Sequence, residues 1–291
     1  MHQPVLLEKV IQFFDPKPGQ NFVDCTIGEA GHAKAILEKT KSKVLGIDVD
    51  STSLERVEAL DGLILDHGNF KDLKTIVEKN NFSNIHGVLF DLGLSSWQIE
   101  ESGKGFTFQK DEPLVMILNG KQEVTAEEII NTWPEESLVE ILKRFGEERY
   151  SRNIVKNIVD QRKITPIKTT FQLREIIKRS VPFSEKGRGR LTRVLARIFQ
   201  ALRIVINDEL ENLKTGLDQA LEIVEPKGKI IVISFHSLED RIVKQFFRAK
   251  EREGRLEILT KKPIIADEIE ISVNPRSRSA KLRAAVKIKE L

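Results

Sequence analysis

The stretch Ile85-His86-Gly87-Val88-Leu89-Phe90-Asp91 decides the fold. It is a short apolar run closed by an acid, and the same pattern recurs along the chain. Asn21–Cys25, Lys43–Asp48 and Leu63–Asp66 precede it, and Lys229–Phe235 (KIIVISF) follows far behind, introduced by the Pro226-Lys227-Gly228 turn. Leu256–Thr260 and Arg283–Lys289 supply the last two runs. Helical patterns at Gly31–Lys39, Thr52–Leu60 and Lys71–Lys79 lie between the first four. Strands alternating with helices predict a doubly wound parallel sheet of the α/β class.

Asp91 and Lys229 are about 130 residues apart, where a single crossover takes ~30. Much of the gap has helical periodicity: Ala126–Thr132, Glu136–Phe145, Arg152–Arg162, Phe171–Arg179, and a long pattern from Leu191 to Val224, broken near Val205. This predicts a helical subdomain inserted at 104–206 between the halves 1–103 and 207–291. Ser237–Lys250 reads as a helix, with Ser237-Leu238-Glu239-Asp240 as its capping box and Ser237 as the cap.

Composition bounds the rest. The 291 residues are 40% hydrophobic and 31% charged, which suits a globular chain and not a disordered one. A net charge of +3 does not single out nucleic acid, so any such reading rests on local clusters. Cys25 is the only cysteine, which excludes an internal disulfide. The first residues lack the pattern of a signal peptide, and no run of about 18 apolar residues exists. The expectation is a cytoplasmic protein without a membrane partner.

Ligands of such sheets bind at the carboxyl ends of the strands. The first loop, Asp24-Cys25-Thr26-Ile27-Gly28-Glu29-Ala30-Gly31-His32, has small residues at Gly28, Ala30 and Gly31 that permit close approach of a ligand. The same residues also fit a plain strand-to-helix turn. The G-x-G-x-x-G fingerprint is absent, which disfavours a nicotinamide dehydrogenase. Asp48 closes the second strand, where an acid accepts hydrogen bonds from a ribose. Phe70 follows the third strand and either flanks an adenine or fills the core. Asp91 closes the fourth, ahead of Leu92-Gly93-Leu94-Ser95-Ser96-Trp97-Gln98. Acids at two strand ends beside a small-residue loop favour an adenosine-type ligand.

His236, Ser237 and Asp240 are close in sequence, but there is no G-x-S-x-G elbow, and the serine and acid fit a helix cap better than a hydrolase. The five histidines are scattered and predict no metal site. Two basic clusters suit phosphate contacts: Lys186, Arg188, Arg190, Arg193, Arg197 and Arg203, and the tail Asn274-Pro275-Arg276-Ser277-Arg278-Ser279-Ala280-Lys281-Leu282-Arg283.

Taken together, His2-Gln3-Pro4-Val5-Leu6-Leu7, Val23–His32, Asp91–Gln98, Gly105-Phe106-Thr107-Phe108, Gly146-Glu147-Glu148-Arg149, Phe199–Ile204, Val232–Arg241 and Asn274–Ser279 closely resemble the bacterial 16S ribosomal RNA cytosine-N4 methyltransferase family. The resemblance runs nearly end to end. It implies a class I methyltransferase sheet with an inserted helical domain, and S-adenosylmethionine as cofactor. It implies cofactor contacts at Gly28, Ala30, Gly31, His32, Asp48, Phe70, Asp91 and Gln98. It also implies 16S ribosomal RNA of the small subunit, in its decoding region, as substrate, with Arg197, Arg203, His236, Arg276 and Arg278 as RNA contacts. Asp91 and Ser95 are the candidate acceptors for the reacting amine, with Asp111 as the alternative if Asp91 holds cofactor. A homodimer is a further expectation.

The chain also departs from the family. Ala30 stands where the family has glycine. Val115 and Ile117 replace an acid and an arginine, and of the usual His-Pro-Ala-Thr-Arg only Arg197 survives in Arg193-Val194-Leu195-Ala196-Arg197. These losses keep two other readings open: a methyltransferase acting on another substrate, or an RNA-binding assembly factor with impaired catalysis.

Overall fold

The computed structural model describes residues 4–40, 42–119, 124–187 and 189–288. His2, Gln3, Arg188 and Lys289, named above, lie outside the described residues. Its strands are β1 (Asn21–Asp24), β2 (Val44–Asp48), β3 (Leu63–His67), β4 (Ile85–Asp91), β5 (Lys229–Ser234), β6 (Leu256–Ile258) and β7 (Lys281–Lys287). Its helices are α1 (Leu7–Phe14), α2 (Gly31–Thr40), α3 (Ser51–Leu54), α4 (Leu73–Lys79), α5 (Ser96–Glu100), α6 (Ala126–Thr132), α7 (Glu135–Arg144), α8 (Ser151–Ile164), α9 (Thr170–Ser180), α10 (Arg190–Asn207), α11 (Glu209–Ile223), α12 (Ser237–Arg252) and α13 (Glu268–Val273).

The chain divides into two compact units, one of Met1–Gly93 and Leu210–Leu291, the other of Leu94–Glu209. The first contains a seven-stranded sheet in the order β3-β2-β1-β4-β5-β7-β6. The pairs β2–β3, β1–β2, β1–β4 and β4–β5 are parallel; β7 runs antiparallel to β5 and β6. Side chains alternate across the strands, so both faces are buried. Val88 and Phe90 join a core with Leu73 of α4, Leu217 of α11 and Phe247 of α12. Leu89 joins the opposite core with Val10 of α1 and Ile36 of α2. Helix-covered faces on both sides make the sheet doubly wound, as the sequence predicts.

The strand order reverses between β1 and β4, because β2 and β3 lie to one side and β5 to the other. The crevice at such a reversal, at the carboxyl ends, is where this architecture binds ligands.

The second unit packs α6–α10 around a core that includes Leu114, Ile129, Leu142, Ile158, Ile177 and Ile198. It opens at Leu94, ten residues before the expected start of the insertion at 104, and closes at Glu209, three beyond the expected 206. The long helical pattern, expected to break near Val205, breaks at Asp208, three residues on. Asp208 adopts φ 50°, a left-handed conformation that aspartate tolerates better than valine. The expected Thr52–Leu60 helix is only α3: Asp50 caps it through the Thr52 amide, and the chain leaves the helix after Leu54.

Candidate active site

Three acids stand at the carboxyl ends of three adjacent strands: Asp24 on β1, Asp48 on β2 and Asp91 on β4. Backbone hydrogen bonds tie them together. Gly28 donates its amide to Asp48 Oδ2 at 3.0 Å, and Asp50 donates to Asp48 Oδ1 at 2.9 Å. Thr26 donates its amide to Asp24 Oδ1 at 3.2 Å, while its Oγ1 accepts the Asp91 amide at 2.7 Å. The loop after β1 is thereby fixed to both neighbouring strands.

The loop turns through left-handed conformations at Gly28 (φ 49°) and Ala30 (φ 59°). Position 30 therefore favours glycine, which has no Cβ to crowd there. Ala30 accepts that conformation while burying its methyl in the core below the loop. At Gly31 the constraint is steric: a Cβ there would lie 2.3 Å from Pro4 Cγ. His32, one residue on, is buried. Its Nε2 lies 3.0 Å from the Val5 carbonyl and its Nδ1 3.7 Å from Asp91 Oδ2.

The electrostatics are those of a buried acid cluster. Burial pushes Asp24 up to about 7, against the Thr26 amide, and the Asp48 charge adds to the rise. Burial likewise pushes Asp48 up to about 6, opposed by the Asp50 and Gly28 amides. Asp91 is held well above the usual carboxylate range by burial first, then by the charges of Asp24 and Glu239. Its side chain is 23% exposed, yet Oδ1 is fully buried and has no hydrogen-bond partner. Such an atom calls for a donor.

S-adenosylmethionine fits these residues. It brings a ribose diol, an ammonium and a sulfonium to a site with three strand-end carboxylates and one orphaned carboxylate oxygen. An ionised carboxylate accepts about four hydrogen bonds, so its amide partners do not exhaust Asp48. Phe70 is half-buried, edge-on to Phe90 with ring centroids 5.5 Å apart, and so is anchored in the core.

Sequence reasoning missed Asp24. It lies inside the run Asn21–Cys25, and only the early end of β1, at Asp24, shows it as a strand-end acid. The cap of α12 also needs correction: it is His236, not Ser237. His236 Nδ1 accepts the Glu239 amide at 3.3 Å, and Glu239 Oε2 accepts the Phe235 and His236 amides at 2.8 and 3.2 Å. Asp240 instead forms a two-pronged ion pair with Arg283, at 2.6 and 3.2 Å. This engages His236, an expected RNA contact, in capping, and takes Arg283 out of the basic tail.

In the second unit, Ser95 and Gln98 form a capping box at the start of α5. Ser95 Oγ accepts the Gln98 amide at 3.2 Å, and Gln98 Oε1 accepts the Ser95 amide at 3.0 Å. The S-x-x-Q spacing carries that signal. Asp111 is exposed and accepts the Phe171 amide at 3.3 Å. Arg197 pairs with the wholly buried Glu148, and Arg203 grips Glu209 with two bonds, at 2.8 and 3.1 Å. Both arginines, expected to hold RNA, hold carboxylates of their own unit. Ile117 is buried and Val115 partly so, against the helical core. In the tail, a 3-10 turn over Pro275–Ser279 leaves Arg278 exposed and Arg276 half-buried. Among the described residues, no helix is long and apolar enough to cross a membrane.

Known proteins similar to this chain match it over nearly its whole length. The family described as the MraW methylase family matches residues 1–288. Three curated relatives are each named ribosomal RNA small subunit methyltransferase H. That of Carboxydothermus hydrogenoformans is 40% identical over 99% of this chain and 98% of its own. That of Deinococcus deserti is 42% identical over 99% and 94%. That of Heliobacterium mobile is 40% identical over 99% and 99%.

Proposed function

Because this chain belongs to the MraW methylase family, we propose that it transfers a methyl group from S-adenosylmethionine to the exocyclic N4 of a cytidine in 16S ribosomal RNA, in the decoding region of the small subunit. The observation that carries the chemistry is the part-exposed carboxylate of Asp91 at the end of β4, beside the acids of β1 and β2. When bound, the cofactor supplies an electrophilic methyl on a positively charged sulfur. The cytosine amine is a poor nucleophile because its lone pair is delocalised into the ring. An acceptor for one of its N–H bonds localises that pair and meets the developing positive charge. The part-exposed Asp91 carboxylate is that acceptor in this reading, and Asp48 holds the ribose. The proton leaves the product cation, so no strong base is needed. Ser95 and Gln98 position the chain after β4 through their capping box. RNA bases are read from unpaired segments, and the helical unit with Arg276 and Arg278 serves the surrounding backbone.

The test is methyl transfer from labelled S-adenosylmethionine to small subunits lacking this modification, followed by nucleoside analysis. Label in N4-methylcytidine is the expected result. Label in another nucleoside would redirect the substrate, and no label at all would overturn the reading.

A further inference from the structure

We propose that Phe183 is a stacking contact for an unpaired RNA base, presented by the helical unit among exposed cations; this rests on the RNA-substrate reading above. Phe183 is 88% exposed, the highest value among the exposed large hydrophobic residues described. An aromatic ring left in water forgoes the burial that normally stabilises it. The turn that presents it is nonetheless fastened. Phe183–Glu185 form a 3-10 turn in which Glu185 donates its amide to the Pro182 carbonyl at 2.9 Å and Lys186 to the Phe183 carbonyl at 3.0 Å. Arg190 Nη1 donates to the Ser184 carbonyl at 2.9 Å, and the Glu185 carboxylate pairs with Arg149. The backbone that carries the exposed ring is thus fixed by its neighbours.

The surroundings select the partner. From Lys178 to Arg193 the sequence has six Lys or Arg and a single acid, Glu185, which Arg149 offsets. Lys186, Arg190 and Arg193 are exposed. A flat apolar ring set among cations matches the combination that holds unpaired nucleotides: bases stack on aromatic faces while phosphates meet Lys and Arg. A second copy docking through this same face would set like charges against one another and be repelled.

The experiment compares wild type with Phe183→Ala, Phe183→Leu and Phe183→Trp in affinity for 16S ribosomal RNA and for an end-labelled single-stranded RNA oligonucleotide. S-adenosylmethionine affinity and oligomeric state are measured alongside. Phe183→Ala is expected to weaken RNA binding by ~5- to 150-fold, the range for loss of one base stack, with cofactor affinity unchanged. Phe183→Trp should restore binding and Phe183→Leu should not. RNA affinity unchanged in Phe183→Ala would overturn the proposal, as would Leu serving as well as Trp. A change confined to oligomeric state would assign the ring to a second copy and overturn it too. RNA binding is read without turnover, so failure of wild type to methylate ribosomal RNA would count against the proposed reaction alone.

Discussion

The Asp48 carboxylate accepts the Gly28 amide at 3.0 Å, so the acid at the end of β2 fixes the left-handed turn of the loop after β1. One side chain therefore shapes the loop and offers its remaining lone pairs to a ligand. Asp48→Ala leaves the Gly28 and Asp50 amides without their acceptor, which costs about 1–3 kcal/mol for a buried donor. We expect a lower melting temperature and at least a ~10-fold loss of S-adenosylmethionine affinity, equivalent to ~1.4 kcal/mol. Asp48→Asn, which retains one acceptor, should fall between. Calorimetric titration with the cofactor checks this, and unchanged affinity in Asp48→Ala would remove Asp48 from the site.

The raised acids give the site a pH dependence of definite sign. Asp24 is pushed up to about 7 and Asp48 to about 6, both from an ordinary value of 3.8. The folded chain therefore binds more protons than the unfolded one between about pH 4 and 7, and the stability these groups contribute at low pH is lost as pH rises through that window. A cation in the site favours their ionised forms, so binding a cationic ligand releases protons near pH 6–7. S-adenosylmethionine is a sulfonium, and its demethylated product is a neutral thioether. Preference for the former should grow by about tenfold between pH 5 and 8, which corresponds to one pKa unit of coupling. Competition binding at both pH values measures the ratio, and a flat ratio would mean that these carboxylates do not face the cation.

Positions 30 and 31 should respond unequally to one methyl group. Ala30→Gly relieves a left-handed alanine, worth about 1 kcal/mol, and removes a buried methyl, worth about 0.8 kcal/mol. The two nearly cancel, so melting temperature and activity should barely change. Gly31→Ala drives a Cβ to 2.3 Å from the Pro4 ring, and overpacking of this kind costs about 1–3 kcal/mol. Thermal denaturation of the two variants separates these cases.

Much of this was legible in the sequence because strand ends are written in it. Ile85–Asp91 forms a strand with the bounds its apolar run predicts, and Asp48 and Asp91 emerge as strand-end acids. Asp24 was hidden because an apolar cysteine follows it and extends the apparent strand. His236 does not read as a cap because histidine stands outside the residues that usually cap helices; Glu239, three residues on, is the available signal. The partners of Arg197 and Arg203 were invisible for another reason. A basic cluster in sequence does not reveal which arginines turn inward, and Glu148 lies 49 residues from Arg197.

Arg197 is accordingly expected to matter for stability before RNA. It donates Nε to Glu148 Oε2 at 2.9 Å, and Glu148 also accepts the Tyr150 amide at 2.8 Å from a wholly buried position. Arg197→Met keeps much of the apolar stem but leaves a buried carboxylate without its cation, a loss of about 3 kcal/mol. Arg197→Met combined with Glu148→Gln should recover most of that loss. Denaturant unfolding of the single and double variants is the measurement. A single variant as stable as wild type, with weakened RNA binding, would return Arg197 to the RNA contacts.

Asp91 should show the opposite balance between stability and activity. Its Oδ1 is buried without a partner, and its carboxyl is held well above the ordinary range by burial and by Asp24 and Glu239. A raised carboxylate contributes stability at low pH that is lost as pH rises toward its folded value. Asparagine at this position cannot ionise and so lacks that penalty. Asp91→Asn should therefore gain stability over wild type at pH 8 and less, or none, at pH 4. Its methyl transfer should fall by at least about 100-fold, the scale seen when one preorganised polar group is removed from a reacting centre. Asp91→Ala should lose transfer as well, with the fold retained. Melting curves at the two pH values, paired with labelled methyl transfer, test both halves. Near-normal turnover in Asp91→Asn would end the assignment of Asp91 as acceptor. A stability difference that does not change with pH would show that the buried charge is not what strains this end of β4.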